Sequence, residues 1–409
     1  MVLEKINDLL CYIQINSPYY RNILHPYCKI DKLTDIKELP FTTKDDIAKQ
    51  NKDFLCVPEN KIRDFLTTSG TTGEPISFYL TRNDLKRLSK NEQTSLETCN
   101  VSKGDKILLT TTIDKCFMAG LAYYLGSQEF GVGIIRTGPG NIKYQWDMIE
   151  RFKPEIIIAV PSFLLKMIKF ANENNIDLTN TSLKKAICIG EPIKDNNFQL
   201  TSLAIQIVSN LNLKLYASYA STEMMTAFTE CEEGVGGHLQ EDLLYAEILD
   251  ENGCEVKDGE SGEVVITTLG VEAVPLLRYR TGDICTVYRK KCRCSRTSLR
   301  LGPVLGRKNQ RLKVKGTTIY PLAVIDAIYA YKKLSDFVIE VSLDEFKSDK
   351  LCLFLTDEFL KKSSIKELKG FLKSKLLFTP EIKIVDINII NKKITNSNSR
   401  KIIRFKDNR

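Results

Sequence analysis

The chain has 409 residues, 43% of them hydrophobic and 27% charged, with a formal net charge of +8. That length exceeds one ordinary globular core, so two domains are expected, and the composition is that of a soluble enzyme. Lysines and acids alternate along the chain without a single-sign tail, which argues against a nucleic-acid-binding arm, and the opening MVLEKINDLL has no apolar signal core.

Residues 3–24 carry an amphipathic helical pattern that leads into SPYYRNIL. LTDIKELPFTTKDDIAK holds a helix start, with Thr42 or Thr43 as cap and Asp45 and Asp46 in the first turn. From about residue 105 short apolar runs alternate with helical ones. KILLTTT, GVGIIRT, EIIIAVP and KKAICIG read as strands, and NIKYQWDMIERF and SFLLKMIKFANEN as helices. The longest apolar stretch, Ile156 to Phe170, is interrupted by Pro161 and Lys166, so it reads as strand then helix and not as a membrane span. Such alternation predicts an α/β fold with a mostly parallel sheet. After Tyr245 the style changes: EILD, CEV and GEVVITTL read as hairpin strands. The Lys-rich last hundred residues bring new strands, FVIEVSL and KLCLFLT, and the helix SSIKELKGFLKSKL. A boundary near Asn309 would divide a large domain, 1–308, from a small α+β domain, 309–409.

The strongest local signal is TTSGTTGEP, Thr67 to Pro75, which follows a predicted strand. Its glycines let the backbone fold around an anion, and its hydroxyls and N–H groups can donate to phosphate oxygens. It lacks the Gly-Lys-Ser/Thr ending of a Walker loop. A Ser/Thr/Gly-rich surface loop is the bland alternative.

TTSGTTGEP resembles the phosphate-binding loop of the adenylate-forming superfamily, which includes acyl-CoA synthetases and carrier-protein-loading adenylation domains. Four further segments match in the right order. IGEP, with Gly190, Glu191 and Pro192, is similar to the adenine-side loop. YASTE, Tyr219 to Glu223, is similar to Y-G-x-T-E, with Ala220 in place of glycine and Ser221 in the variable position. YRTGD, Tyr279 to Asp283, resembles the ribose-binding segment, and GRKNQRLKVKGTTIYP, Gly306 to Pro321, the hinge. NSRKIIR near the end resembles the segment that presents the catalytic lysine. NSPYYRNIL, LPFTTKDDI, FMAGLAYYLGSQEFGVGIIRTGPG and IIIAVPSFLLK resemble the phenylacetate–CoA ligases in particular.

The resemblance implies roles. Thr67, Thr68, Ser69, Gly70, Thr71, Thr72 and Gly73 would hold the β- and γ-phosphates of ATP. Glu223 would hold Mg²⁺, Thr222 would donate to the α-phosphate, and Tyr219 would stack on adenine. Asp283 would accept both ribose hydroxyls, Arg307 would support ribose or phosphate, and Lys401 would stabilise the charge that develops during adenylation. Two positions depart from the pattern: Arg400 stands before Lys401 where glycine is common, and Asn309 stands at the hinge where aspartate is usual. The implied substrates are a carboxylic acid, aryl or arylacetic, with ATP and then a thiol. CoA is the favoured thiol, and a carrier-protein phosphopantetheine arm is the alternative. A zinc-containing, nucleotide-binding regulatory protein without turnover is the rival of another class.

Twelve cysteines in a chain without a secretory signal read as reduced thiols in a cytoplasmic protein, with room for one metal site. The only histidines are His25 and His238. His238 follows Cys231 by seven positions, and Cys292 and Cys294 lie downstream, a Cys₃His set suited to a closed tetrahedral Zn²⁺. Neither spacing is that of a standard finger, so four unlinked side chains remain an equal reading, and the family resemblance favours zinc. The basic run RKKCRCSRTSLR reads as a solvated loop, because no recognition helix or aromatic pattern accompanies it. Partnership with nucleic acid or membrane is not expected, and the oligomeric state is open, with a homodimer as one option.

Overall fold

The computed structural model describes residues 2–25, 29–68, 76–314, 317–331, 336–345, 348–361, 363–394 and 404–409. They divide into two compact units, one built mainly from residues up to Val304 and the other mainly from Leu305 onward.

The first unit opens with α1 (Val2–Asn16) and α2 (Pro18–Ile23). The helical pattern of residues 3–24 is split because Ser17 caps α2, accepting from the Tyr20 N–H, with proline in the first turn of α2. Next comes α3 (Lys44–Lys49). Thr43 is its cap: its hydroxyl accepts from the Asp46 N–H, and Asp46 accepts from the Thr43 N–H at 2.8 Å. The hairpin β1 (Ile62–Thr67) and β2 (Ser77–Thr81) leads into α4 (Arg82–Thr98), capped by Thr81 with Asp84 closing the box.

The alternating region follows: β3 (Lys106–Leu109), α5 (Met118–Phe130), β4 (Gly133–Arg136), α6 (Ile142–Phe152), β5 (Ile156–Ala159), α7 (Pro161–Glu173), β6 (Lys185–Ile189), α8 (Ser202–Asn210) and β7 (Lys214–Ser221). β4, β3, β5, β6 and β7 are parallel neighbours in that order. Ile156, Ile157 and Ile158 are fully buried, which explains the run of β-branched residues without alternation. The sheet continues through β8 (Thr226–Glu230), β9 (Gly237–His238), β10 (Leu244–Leu249), β11 (Ser261–Thr268), β12 (Tyr279–Tyr288) and β13 (Arg300–Arg307), making eleven strands ordered β10-β11-β12-β13-β9-β8-β7-β6-β5-β3-β4. β10 and β11 pair antiparallel, as the hairpin pattern after Tyr245 predicts. The expected α/β class is borne out.

One core cluster joins α1 (Ile6, Leu9, Leu10, Ile13) to Val264 and Ile266 of β11 and Cys285 and Val287 of β12. The N-terminal segment is tied to the residues just before β12 by polar contacts too. The Tyr20 hydroxyl meets Thr42 Oγ1 at 2.8 Å and accepts from the Leu277 N–H, and Thr42 Oγ1 donates to the Leu277 carbonyl at 2.7 Å.

The second unit contains the hairpin β14 (Leu312–Val314) and β15 (Thr317–Ile319), then α9 (Pro321–Ala330), β16 (Phe337–Leu343), β17 (Asp349–Thr356), α10 (Ile365–Leu376), β18 (Glu381–Val385), α11 (Ile387–Ile394) and β19 (Phe405–Asp407). Its four-stranded sheet runs β18-β17-β16-β19, and α11 buries Ile390 and Ile394 against Val338 and Phe354. Among the described residues no helix is long and apolar enough to cross a membrane.

Candidate active site

In an open α/β sheet, ligands gather where parallel strands end at their carboxyl termini. β6 ends with Ile189 opposite Ser218 while β7 runs on to Ser221, so the Gly190–Pro192 turn lies alongside Tyr219. Gly190 has φ +77°, a conformation that favours glycine. The Glu191 carboxylate accepts from the Ser162 N–H at 2.8 Å and the Ser162 hydroxyl at 2.9 Å, tying the turn to the N-terminus of α7. Lys194 pairs with Glu230 at 2.9 Å and donates to the Gly234 carbonyl, while Glu230 accepts from the Ala217 N–H. The turn is thus held on both sides.

Asp283 reaches the same region by a distortion of β12. Glu263 pairs with Ile284 and Val265 with Arg280, so three residues of β12 face one of β11. Gly282 has φ +75° within this bulge. The Thr281 hydroxyl donates to the Val264 carbonyl and accepts from the Asp283 N–H, which fixes the bulge from within. Asp283 is buried, and the Tyr219 hydroxyl donates to its Oδ2 at 2.8 Å. Burial, and then the Asp283 charge, push the Tyr219 phenol well above its ordinary pKa, so it keeps the proton it donates. The Tyr219 ring stacks on Phe228 with centroids 5.9 Å apart.

Ahead of the bulge, Arg278 is fully buried. It binds Glu247 with two hydrogen bonds, donates to the Lys37 and Leu39 carbonyls, and lies 4.0 Å over the Phe41 ring. Thr42 bridges to Tyr279, with N–H to Arg278 O and O to Arg280 N–H. The LPFTTKD string therefore forms a rail along the ribose-type segment. Sequence spacing gives no sign of this, because the partners lie more than 230 positions apart.

β7 and β8 are joined by residues 222–225, which carry Thr222 and Glu223, both half-buried. Ala220 is exposed on β7, and Ser221 Oγ accepts from the Met224 N–H at 3.2 Å. Of the phosphate-loop string, Thr67 and Thr68 are described. The Thr67 N–H donates to the Cys116 carbonyl, and Thr68 closes the loop stem, its N–H donating to Ile76 O and its hydroxyl accepting from Ile76 N–H. Ser69, Gly70, Thr71, Thr72, Gly73 and Lys401 lie outside the described residues. Arg307 ends β13 in the second unit, after Gly306, where a Cβ would come within 2.3 Å of the Tyr320 ring.

Cys231, His238, Cys292 and Cys294 converge, their ligating atoms all within 4.8 Å of one another. Cys231 and Cys292 Sγ are 3.8 Å apart, and Cys294 Sγ is 3.4 Å from His238 Nε2. A tetrahedral zinc with bonds of about 2.3 Å to sulfur and 2.0–2.1 Å to nitrogen requires separations of roughly 3.8 Å and 3.5 Å, so the donor set fits. His238 Nδ1 lies 3.1 Å from Ser298 Oγ, which leaves Nε2 to face the thiols. Burial, and then Arg296 and Arg300, pull His238 down to about 4, so the ring is neutral.

A turn beside a parallel strand end, a bulge-borne carboxylate and the two threonines of a loop stem bring three of the nucleotide-type segments of the sequence onto the first unit. The AMP-binding enzyme family model matches residues 25–272, and the chain belongs to that family. It is 30% identical over 330 residues to the phenylacetate–coenzyme A ligase of Thermus thermophilus, covering 78% of this chain and 73% of that one. It is also 30% identical over 348 residues to the phenylacetate–coenzyme A ligase of Pseudomonas putida, covering 82% and 76%. A crystal structure of 2-hydroxyisobutyryl-CoA ligase in the postadenylation state shares the fold, with TM-score 0.86 at 20% identity, covering 100% of this chain and 89% of that one.

Proposed function

We propose that the protein joins a carboxylic acid, aryl or arylacetic by its family, to CoA through an acyl-adenylate. A carboxylate oxygen attacks the α-phosphorus of ATP, and the bond to the β-phosphate oxygen breaks to release pyrophosphate. The CoA sulfur then attacks the acyl carbon, AMP leaves, and the thiol proton passes to solvent. Asp283 accepts the ribose hydroxyls, its orientation set by the bulge and by Tyr219, whose ring stacks on adenine against the Gly190–Pro192 turn. Thr222 donates to the α-phosphate, and the hydroxyls and N–H groups of Thr67–Gly73 cradle the outer phosphates. Mg²⁺, held by Glu223, supplies neutralising charge for the phosphates when bound. Arg307 supports the nucleotide, and Lys401 stabilises the charge between carboxylate and α-phosphate. The observation that carries this reading is Asp283, lifted out of β12 and fixed by Tyr219 beside the ends of β6 and β7.

The cysteine–histidine cluster takes the part of a closed structural zinc site, with Cys231, His238, Cys292 and Cys294 as ligands. Its fourth position is protein, so it leaves no place for a reacting water. The described cysteines are all free thiols, which suits a cytoplasmic setting.

Acid-dependent ATP–pyrophosphate exchange across aryl, arylacetic and short aliphatic acids tests the first step. Adding CoA or holo-carrier proteins to the best acid separates the two thiol acceptors. Exchange with none of these acids would overturn the reading.

A further inference from the structure

The turn that carries Thr222 and Glu223 ends on a residue in an unusual conformation. Met225 has φ +49°, in the left-handed region where side chains other than glycine and asparagine are disfavoured. Its N–H donates to the Ser221 carbonyl, and its side chain is buried. Something outside the turn must hold it there.

That group is Arg87 of α4. Its guanidinium donates to the Met225 carbonyl at 2.7 Å, to Thr226 Oγ1 at 3.1 Å, to the Leu269 carbonyl at 2.8 Å and to the Leu243 carbonyl. The side chain is 8% exposed, and its hydrogen bonds go to three carbonyls and a hydroxyl rather than to a carboxylate. Burial pulls it down to about 10, which still leaves it charged at neutral pH. One turn further along α4, Asn91 Oδ1 accepts from the Ala227 N–H at 3.1 Å. α4 therefore fixes the backbone on both sides of Thr226. A buried cation placed among backbone acceptors is a costly way to fill a core, and one of its acceptors is the carbonyl of the one left-handed residue in this turn.

We propose that Arg87 is a positioning residue for adenylation: by holding the Met225 carbonyl, it locks the 222–225 turn in the conformation that presents Thr222 to the α-phosphate and Glu223 to magnesium. This rests on the reading of Glu223 as the Mg²⁺ ligand.

The Mg²⁺ dependence of ATP–pyrophosphate exchange is the readout. Arg87→Lys keeps the charge but cannot bridge the acceptors, and its Mg²⁺ half-saturation should rise, as loss of support behind a metal ligand typically costs roughly 10–100-fold in metal affinity or activity. The KM for the acid should change little. Met225→Val and Met225→Gly, made with Arg87 intact, separate conformation from packing. A packing role makes Gly worse, because it deletes more buried volume. A conformational role makes Val worse, because a β-branched side chain resists the left-handed region that glycine adopts freely. We expect the Mg²⁺ shift in Val and not in Gly, and partial recovery when Met225→Gly is added to Arg87→Lys. If Arg87→Lys does not fold, the Val and Gly pair decides alone. A larger shift in Gly than in Val, or an Arg87→Lys enzyme with parental Mg²⁺ dependence, overturns the proposal. Glu223→Gln serves as the control: if it leaves Mg²⁺ dependence unchanged, the site reading itself fails. If it shifts while the Arg87 and Met225 variants do not, only the inference fails.

Discussion

Asp283 is buried and Glu223 half-buried, and the two carboxylates arrive by different routes. Asp283 sits on a bulge stiffened by Thr281 and receives a phenol, so it is preset to accept further hydrogen bonds from a ribose. Glu223 sits on a turn and has the charge a cation needs. Asp283→Ala should therefore raise the KM for ATP, roughly 10- to 100-fold for hydrogen bonds to a charged group, with less effect on the Mg²⁺ dependence. Glu223→Gln should do the reverse, and exchange kinetics at varied ATP and Mg²⁺ check the pair. Both residues are legible in the sequence because each lies in a short contiguous string. Glu92 is not, since nothing in KRLSKNEQTSLE marks it as buried. It lies in α4, its Oε1 accepting from Asn91 and its Oε2 without a hydrogen-bond partner among the described residues. Burial, outweighing the Asn91 hydrogen bond, pushes it from 4.5 up to about 8. Because the folded pKa is raised, its contribution to stability is fully present below about 4.5 and is lost as pH rises through about 8. Glu92→Gln stays neutral throughout. It should match the parent at low pH and exceed its Tm above pH 8, by on the order of a few °C, in thermal melts across that range.

Among the elements, the central parallel strands were the most legible part of the fold, because a strand buried on both faces, as β5 is, must be uniformly apolar. The N-terminal rail was the least. Thr42 and Thr43 read alike as helix caps; Thr43 caps α3, and Thr42 is fully buried against β12. Periodicity reports which face of an element is buried, never which distant strand it meets. The same limit applies to the four cysteine and histidine ligands, whose spacing left them undecided until β8, β9 and the loop before β13 brought them together. Within that loop Cys292 is buried while Lys291 and Arg293 on either side are exposed, so those two basic residues face away from the cluster, and Arg300 at the end of the run is buried. If zinc closes it, protein purified without chelator should carry about one zinc per chain, the stoichiometry of a four-ligand site. Cys292→Ser should lose the metal and lower the Tm by several degrees, since a ligand that binds only the folded state stabilises it. Elemental analysis and a melt with and without chelator check this. Metal-free protein with an unchanged melt would leave four unlinked side chains.

For the whole molecule, a chain of two compact units suits an enzyme whose two half-reactions make different demands on one site. Adenylation brings an anionic carboxylate up to a polyanion and needs extra positive charge. Thioester formation attacks a neutral acyl carbon and does not. Lys401, the residue the family pattern assigns to that charge, belongs to the Lys-rich C-terminal part of the chain, and it follows Arg400 where that pattern usually has glycine. Arginine there restricts the backbone more than glycine would. If Lys401 still serves the first step, Lys401→Ala should slow acid-dependent pyrophosphate exchange by roughly 10²–10³, the usual cost of losing one preorganised stabilising contact. The same variant given chemically synthesised acyl-adenylate should form thioester at nearly the parental rate. Asn309 offers the complementary probe. It lies in the short helical turn Lys308–Gln310, and its carbonyl accepts from Arg409. Asn309→Pro fixes φ and removes the N–H, so a chain that must turn here between steps should still make adenylate but transfer it poorly. Equal loss of both steps in Lys401→Ala, or parental transfer in Asn309→Pro, would mean that one fixed arrangement of the two units carries out the whole reaction.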